Sequence, residues 1–153
     1  MALYLVQHGK SLPPDVDPDQ GLSTEGVAET ERMARMAQDA GLKIKAILHS
    51  GKLRARRTAE ILAASLTPPD GTKQAQGLNP LDDVQPWRTC LNPGADLMLV
   101  GHLPFMERLA ALLVSGSLEK PVIKFQNSGI VCLDQDPSSI HWVIRWALVP
   151  KLG

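Results

Sequence analysis

The sequence predicts an α/β layered domain. Short apolar runs at 2–6, 45–49 and 96–102 have the continuous pattern of strands buried on both faces, and segments of helical periodicity follow each of them. The final third is rich in β-branched and aromatic residues. These features fit strand, helix, strand again, closed by further sheet.

The first run, 2–6, stops at Gly9 and gives way to a polar loop rich in Pro and Asp over 11–20. Ser23 or Thr24 can then cap the free amides of a helix reaching about Gly41. Val27, Met33, Met36, Ala37 and Ala40 form its apolar side, with Glu29, Glu31, Arg32, Arg35 and Asp39 left for solvent. After the strand at 45–49, residues 53–66 again read as helix, with Ser50 as its cap. The Pro68-Pro69-Asp70-Gly71 cluster ends that helix. Residues 72–95 are broken by Pro80, Pro86 and Pro93 and read as a surface insert holding a short helix at 83–91. The strand at 96–102 meets a turn, and Pro104 suits the first turn of a helix to about Val114. Segments 122–125, 129–133 and 140–149 read as strands. In the last, Ile140, Trp142, Ile144, Trp146 and Leu148 alternate against His141, Arg145 and Ala147, as a half-buried strand near a sheet edge requires. No repeat, linker or low-complexity tract divides the chain, so residues 1–153 are expected to form one domain.

Composition excludes several function classes. Sixteen Lys and Arg balance sixteen Asp and Glu, so no global field points to nucleic acid or to a membrane surface. Cys90 and Cys132 lie far apart, which argues against a disulfide framework or a zinc knuckle, and both read as small buried hydrophobes. The opening apolar run is too short for a signal peptide, and no run reaches membrane-spanning length. A cytoplasmic protein is expected. Gly9-Lys10-Ser11 mimics the end of a phosphate-binding loop, but the glycine required earlier falls at Tyr4, inside the strand. Neither H-E-x-x-H nor G-x-S-x-G is present.

Three polar segments follow three predicted strands: Gln7-His8-Gly9-Lys10, Ser50 to Arg54, and Gly101-His102-Leu103-Pro104. In open α/β sheets the ligand crevice lies at the carboxyl ends of parallel strands, so these segments can converge. Two histidines among several cations suit phosphoryl transfer. A neutral imidazole can attack phosphorus while cations and oriented amides hold the oxygens. Lys10, Lys52, Arg54, Arg56 and Arg57 supply candidate cations. His49 and His141 are better explained as structural or surface residues.

The segment around Gln7-His8-Gly9 resembles the R-H-G signature of the histidine phosphatase superfamily. The segment from Ser50 to Glu60 is similar to its S-P-x-x-R-A-x-Q-T motif, matching at Ser50, Arg54, Ala55, Thr58 and Ala59. Gly101-His102-Leu103-Pro104-Phe105-Met106-Glu107 is similar to its G-H-N-P-x-x-E segment. The short chain and the third motif resemble the SixA-type phosphohistidine phosphatases more than the longer phosphoglycerate mutases. The resemblance implies a single α/β/α domain with a mostly parallel central sheet and no metal or organic cofactor. It implies His8 as the nucleophile that becomes phosphohistidine, Arg54 as a phosphate clamp and His102 as a hydrogen-bond partner of the phosphoryl, with Gln7, Gly9 and Ser50 at the phosphate; Arg57 is a candidate replacement cation there, with a solvated helix face as the favoured alternative. The substrate implied is a phosphorylated protein or a small phosphorylated molecule. The proton donor to the leaving group is not specified by the motifs, and Asp82 and Asp83 are the candidates.

The departures from that pattern concern charge. Gln7 stands where the family has arginine, and Arg57 stands where it has glutamine, as if the two types had been exchanged. Gly51 replaces a proline and Leu103 an asparagine. Two readings therefore stand: an enzyme that dephosphorylates phosphohistidine, or a phosphatase-fold module, weakly active or inactive, that binds a phosphorylated partner.

Overall fold

Residues 2–152 are described by a computed structural model. Six strands, β1 (Leu3–Gln7), β2 (Ala46–His49), β3 (Thr72–Gln74), β4 (Leu97–Gly101), β5 (Ile130–Gln135) and β6 (Trp142–Leu148), form one sheet in the order β3-β2-β4-β1-β5-β6. The first four are mutually parallel, whereas β5 and β6 run antiparallel on the far edge. Helices α1 (Thr24–Asp39) and α2 (Leu53–Leu66) cover one face, and α3 (Gln85–Cys90) and α4 (Phe105–Ser115) cover the other.

The period of two along β1 explains this layering. Leu3 and Leu5 join Leu99, Phe105, Met106, Leu109 and Leu133 in one core. Tyr4 and Val6 join Ala34, Ala37, Ala59, Leu62, Met98 and Val100 in the other. A central strand between two helical layers must be apolar on both faces, which is why β1 and β4 read as unbroken apolar runs. The mostly parallel α/β/α architecture is as expected. Because β1, β2 and β4 are parallel neighbours, Gln7, His49 and Gly101 end them on one edge of the sheet.

Several local expectations are corrected. Ser23 caps α1, its side chain accepting from the Gly26 amide, but Met36 and Ala40 are exposed while Glu29 is buried. The buried stripe of α1 runs through Gly26, Thr30, Met33, Ala34 and Ala37, one position round from the pattern inferred from hydrophobicity alone. Ser50 is not the cap of α2; that position is Lys52, with no side-chain bond. The segment 72–95 is more than a surface insert, since it contributes β3 to the sheet and buries Leu78, Val84 and Leu91. Cys90 is exposed, whereas Cys132 is buried as expected. Residues 122–125 are not a strand: Phe125 packs into the core and Val122 and Ile123 lie against it without a ladder. The edge strand β6 keeps its alternation, with Trp142 buried and Val143, Arg145 and Ala147 exposed.

The loop after β1 is held by close backbone approach. The Ser23 amide donates to the Lys10 carbonyl at 2.9 Å, and the first turn of α1 presses against the same peptide. A Cβ on Gly26 would collide with the Lys10 carbonyl oxygen, a backbone atom that cannot swing aside. Gly26→Ala is therefore expected to cost about 1–3 kcal/mol, read as a lowered urea midpoint at unchanged slope. An unaltered midpoint would show that the loop yields freely.

Candidate active site

His8 leaves β1 into the turn over the sheet edge, and its backbone is pinned on both sides. Its amide donates to the Gly101 carbonyl at 2.9 Å, and the Asn127 side chain donates to its carbonyl at 2.8 Å. The imidazole Nδ1 lies 2.7 Å from the Gly9 carbonyl oxygen. A carbonyl can only accept, so Nδ1 carries the proton and Nε2 of the neutral ring carries the lone pair. Among the described residues Nε2 has no protein partner. Burial, together with the charge of Arg54, holds His8 below the ordinary histidine range, against a smaller opposing contribution from the Gly9 bond. At neutral pH this ring presents a free nucleophilic nitrogen.

Gly9 is required by its surroundings. A Cβ there would stand 2.7 Å from Thr30 Oγ1 and 3.1 Å from Ser128 Oγ, two hydroxyls bonded to each other at 2.7 Å. The Gly9 amide donates to Thr58 Oγ1 at 2.9 Å, and that hydroxyl donates onward to the Arg54 carbonyl at 2.7 Å. Thr58 is fully buried and ties the His8 turn to the first turn of α2, where Arg54 sits.

His102 follows β4 and is 1% exposed. Its ring centroid is 5.0 Å from that of His8, with the planes inclined at 54°. Nε2 bonds Ser50 Oγ at 2.7 Å, and the same hydroxyl accepts the Lys52 amide at 3.3 Å. Burial first, then the neighbouring His8, Arg54 and Lys52, pushes the His102 pKa down to about 3. His102 is therefore neutral throughout the physiological range. Its Nδ1 and the Gln7 side-chain oxygen are closed to solvent and have no partner. Unsatisfied buried polar atoms are rare and costly; a third among the described residues is Glu29 Oε1 on α1, and Gln7 pairs with Gly101, the residue before His102.

Arg54 is partly buried, its pKa lowered by burial, and it forms no ion pair among the described residues. Its charge is felt by both histidines. A half-desolvated guanidinium without a carboxylate is a ready clamp for an anion. The remaining cations differ. Lys10 pairs with Glu25 at 2.7 Å. Arg57, the candidate replacement cation, is half-exposed and lies 3.6 Å from Glu60. One step of three along α2 turns it about 60° from Arg54, and a carboxylate one turn on captures it.

The structure thus brings together His8, Gly9, Ser50, Arg54 and His102, with Gln7 at the strand end beneath them. Each of the candidate acids has one oxygen in a turn: Asp82 Oδ2 accepts the Asn79 amide at 2.9 Å and Asp83 Oδ1 the Gln85 amide at 3.0 Å. His49 is buried and accepts the Gly51 amide, and His141 is exposed. Asn127 and the positioning role of Thr58 carry no signal from residue type alone.

The family model of the histidine phosphatase superfamily (branch 1) matches residues 3–79, half of the chain. The chain belongs to that superfamily. Membership makes it a phosphatase-type hydrolase, in agreement with the motif reading. It is 36% identical over 149 residues to an uncharacterized protein of Picosynechococcus, spanning 92% of this chain and 89% of that relative. It is 29% identical to the phosphohistidine phosphatase SixA of Escherichia coli, spanning 98% of this chain and 94% of that one. A solved structure of the protein histidine phosphatase SixA with tungstate superposes at a TM-score of 0.82 and 28% identity, covering 98% and 97% of the two chains. No helix among the described residues of this histidine phosphatase is long and apolar enough to cross a membrane.

The neutral state of His102 has a consequence for stability. Unfolded, the ring takes a proton near 6.5; folded, it resists protonation down to about 3. Between those values the unfolded chain binds the extra proton, so this group's contribution is present above 6.5 and is lost as pH falls. In His102→Asn the decline of unfolding free energy between pH 6.5 and pH 4 is expected to be shallower by up to about 1.4 kcal/mol per unit. Urea melts across that range check it, and equal slopes would contradict a neutral, buried His102.

Proposed function

We propose that this protein is a phosphohistidine phosphatase acting through a covalent phospho-His8 intermediate. The observation that carries the reading is the His8 ring, locked through Nδ1 to the Gly9 carbonyl and offering a free Nε2 beside buried His102 and unpaired Arg54. The name of the SixA relative supports phosphohistidine as the substrate class.

In the first step the Nε2 lone pair attacks phosphorus. The new N–P bond forms as the bond from phosphorus to the substrate imidazole breaks. That ring leaves as neutral imidazole once its distal nitrogen holds a solvent proton, so it needs less acid assistance than an alkoxide. This suits a site in which Asp82 and Asp83 are engaged in turns. Water then attacks phospho-His8, releasing inorganic phosphate and restoring the neutral ring. Arg54 neutralises the equatorial oxygens, while Ser50 and Thr58 hold His102 and the Gly9 turn in register. Residues 1–153 act as one catalytic unit on a phosphorylated protein, or on a small phosphorylated molecule in its place.

One observation favours the second reading, a weak enzyme that chiefly binds. Position 7 has a neutral side chain whose oxygen is buried without a partner, and Arg57 does not replace the missing cation. A charge-assisted hydrogen bond contributes about 1.5–3 kcal/mol, so its absence lowers the rate by roughly ten- to a hundredfold. That is a slow enzyme, not an inert one.

Two expected outcomes follow. His8→Ala abolishes acid-labile phosphorylation of the chain after incubation with a phosphohistidine donor, while His49→Ala and His141→Ala retain it; wild-type labelling in His8→Ala would end the proposal. Gln7→Arg raises kcat/KM roughly tenfold or more, whereas Arg57→Gln changes it by less than about twofold. If Arg57→Gln is strongly damaging and Gln7→Arg silent, position 57 already supplies the cation.

A further inference from the structure

A groove of about 400 Å³ opens beside the site and shares Arg54 with it. One wall is the start of α2, with Lys52, Leu53, Arg54 and Arg56; the other is the loop bearing Pro18 and Asp19. The loop passes close to α2 at Gly21, where an added Cβ would lie 3.3 Å from Leu53 Cδ2.

Its charge is unbalanced. Three cations face one carboxylate, that of Asp19, and neither Lys52 nor Arg54 makes an ion pair among the described residues. Arg56 is held only at 3.5 Å, through Nε, by Glu60, with half of its side chain in solvent. Asp17 does not line the groove; its two oxygens accept the amides of Asp19 and Gly21. The Lys52 charge reaches His102, so groove and site share one electrostatic field.

We propose that this groove seats an acidic segment of the phosphorylated protein, flanking its phosphohistidine; this rests on the function proposed above. Lys52 and Arg56 are four residues apart at the start of one helix, roughly 6 Å along its axis. Alternate side chains of an extended strand repeat at about 6.5 Å, so two acidic residues separated by one fit the pair. The open form, with Pro18 and Leu53 giving apolar footing, suits a peptide main chain more than a compact second phosphate. Recognition of acidic motifs by clustered cations is a recurring binding mode, and it governs on-rate and partner choice.

The test compares three substrates on the full-length chain: free phosphohistidine, a phosphohistidine peptide with Asp or Glu on both flanks, and its charge-reversed Lys counterpart. At low ionic strength kcat/KM for the acidic peptide is expected to exceed that for the Lys peptide by roughly tenfold, and 0.5 M salt to remove most of the difference, as roughly a 5 Å screening length requires. The Lys52→Glu/Arg56→Glu double variant should invert the preference, read as the ratio of the two peptide rates within that variant, so that any change in its rate on free phosphohistidine cancels. Equal rates on the two peptides, or a preference that survives the double variant, overturns the groove. So does competition by pyrophosphate that the double variant abolishes without any peptide preference, which would mark a second phosphate site. If no substrate is turned over, the catalytic proposal fails on its own. Fluorescence anisotropy with the unphosphorylated acidic peptide then decides the groove: binding lost in the double variant upholds it, and equal or absent binding in both proteins refutes it.

Discussion

The hydrogen bond from His8 Nδ1 to the carbonyl of Gly9 decides what the rest of the site can do. Without it the imidazole could expose either nitrogen and rotate about its side-chain bonds. With it, one proton is fixed, one lone pair is free, and the ring has a single orientation. Holding that carbonyl requires the backbone on both sides of the Gly9 Cα to be immobile, and the amide on its N-terminal side is held by Thr58. Thr58 in turn depends on the packing of α2 against the sheet, where it and its neighbours Ala55 and Ala59 are fully buried. A nitrogen at the sheet edge is thus positioned by hydrophobic burial, through two hydrogen bonds.

The same economy governs His102. A charged ring could not be accommodated at 1% exposure beside Arg54 and His8, so burial selects the neutral form. Two neutral imidazoles and one unpaired guanidinium leave the centre with the positive charge of Arg54 and room for an anion's negative charge. A preorganised cation such as the Arg54 guanidinium stabilises charge without reorganising.

Much of this was legible in the sequence, and the reasons are physical. Strands β1 and β4 announce themselves because both faces are buried, and their polar ends mark the site because a parallel sheet gathers its carboxyl ends on one edge. What could not be read falls into two kinds. Strand β3 has only Thr72, Lys73 and Gln74, with no apolar pattern; it exists because its backbone completes the edge of β2. Conversely, Val122, Ile123 and Phe125 have strand-like side chains but pack against the core without a ladder partner. At the site, Asn127 acts on a backbone carbonyl, so nothing in its type separates it from any other polar residue, and for Thr58 the motif marks the position but not its bond to the Gly9 amide. For Arg57 the solvated helix face is the favoured reading of the sequence, and its pairing with Glu60 three residues on accords with that spacing.

The central claim is that His8 Nε2 is the atom that accepts the phosphoryl. The most direct test is to trap the phosphorylated chain at alkaline pH and to identify the modified nitrogen by phosphorus NMR with peptide mapping. The account predicts one phosphohistidine, at His8, substituted on Nε2. Phosphate on Nδ1 of His8, or on any other residue, would contradict it.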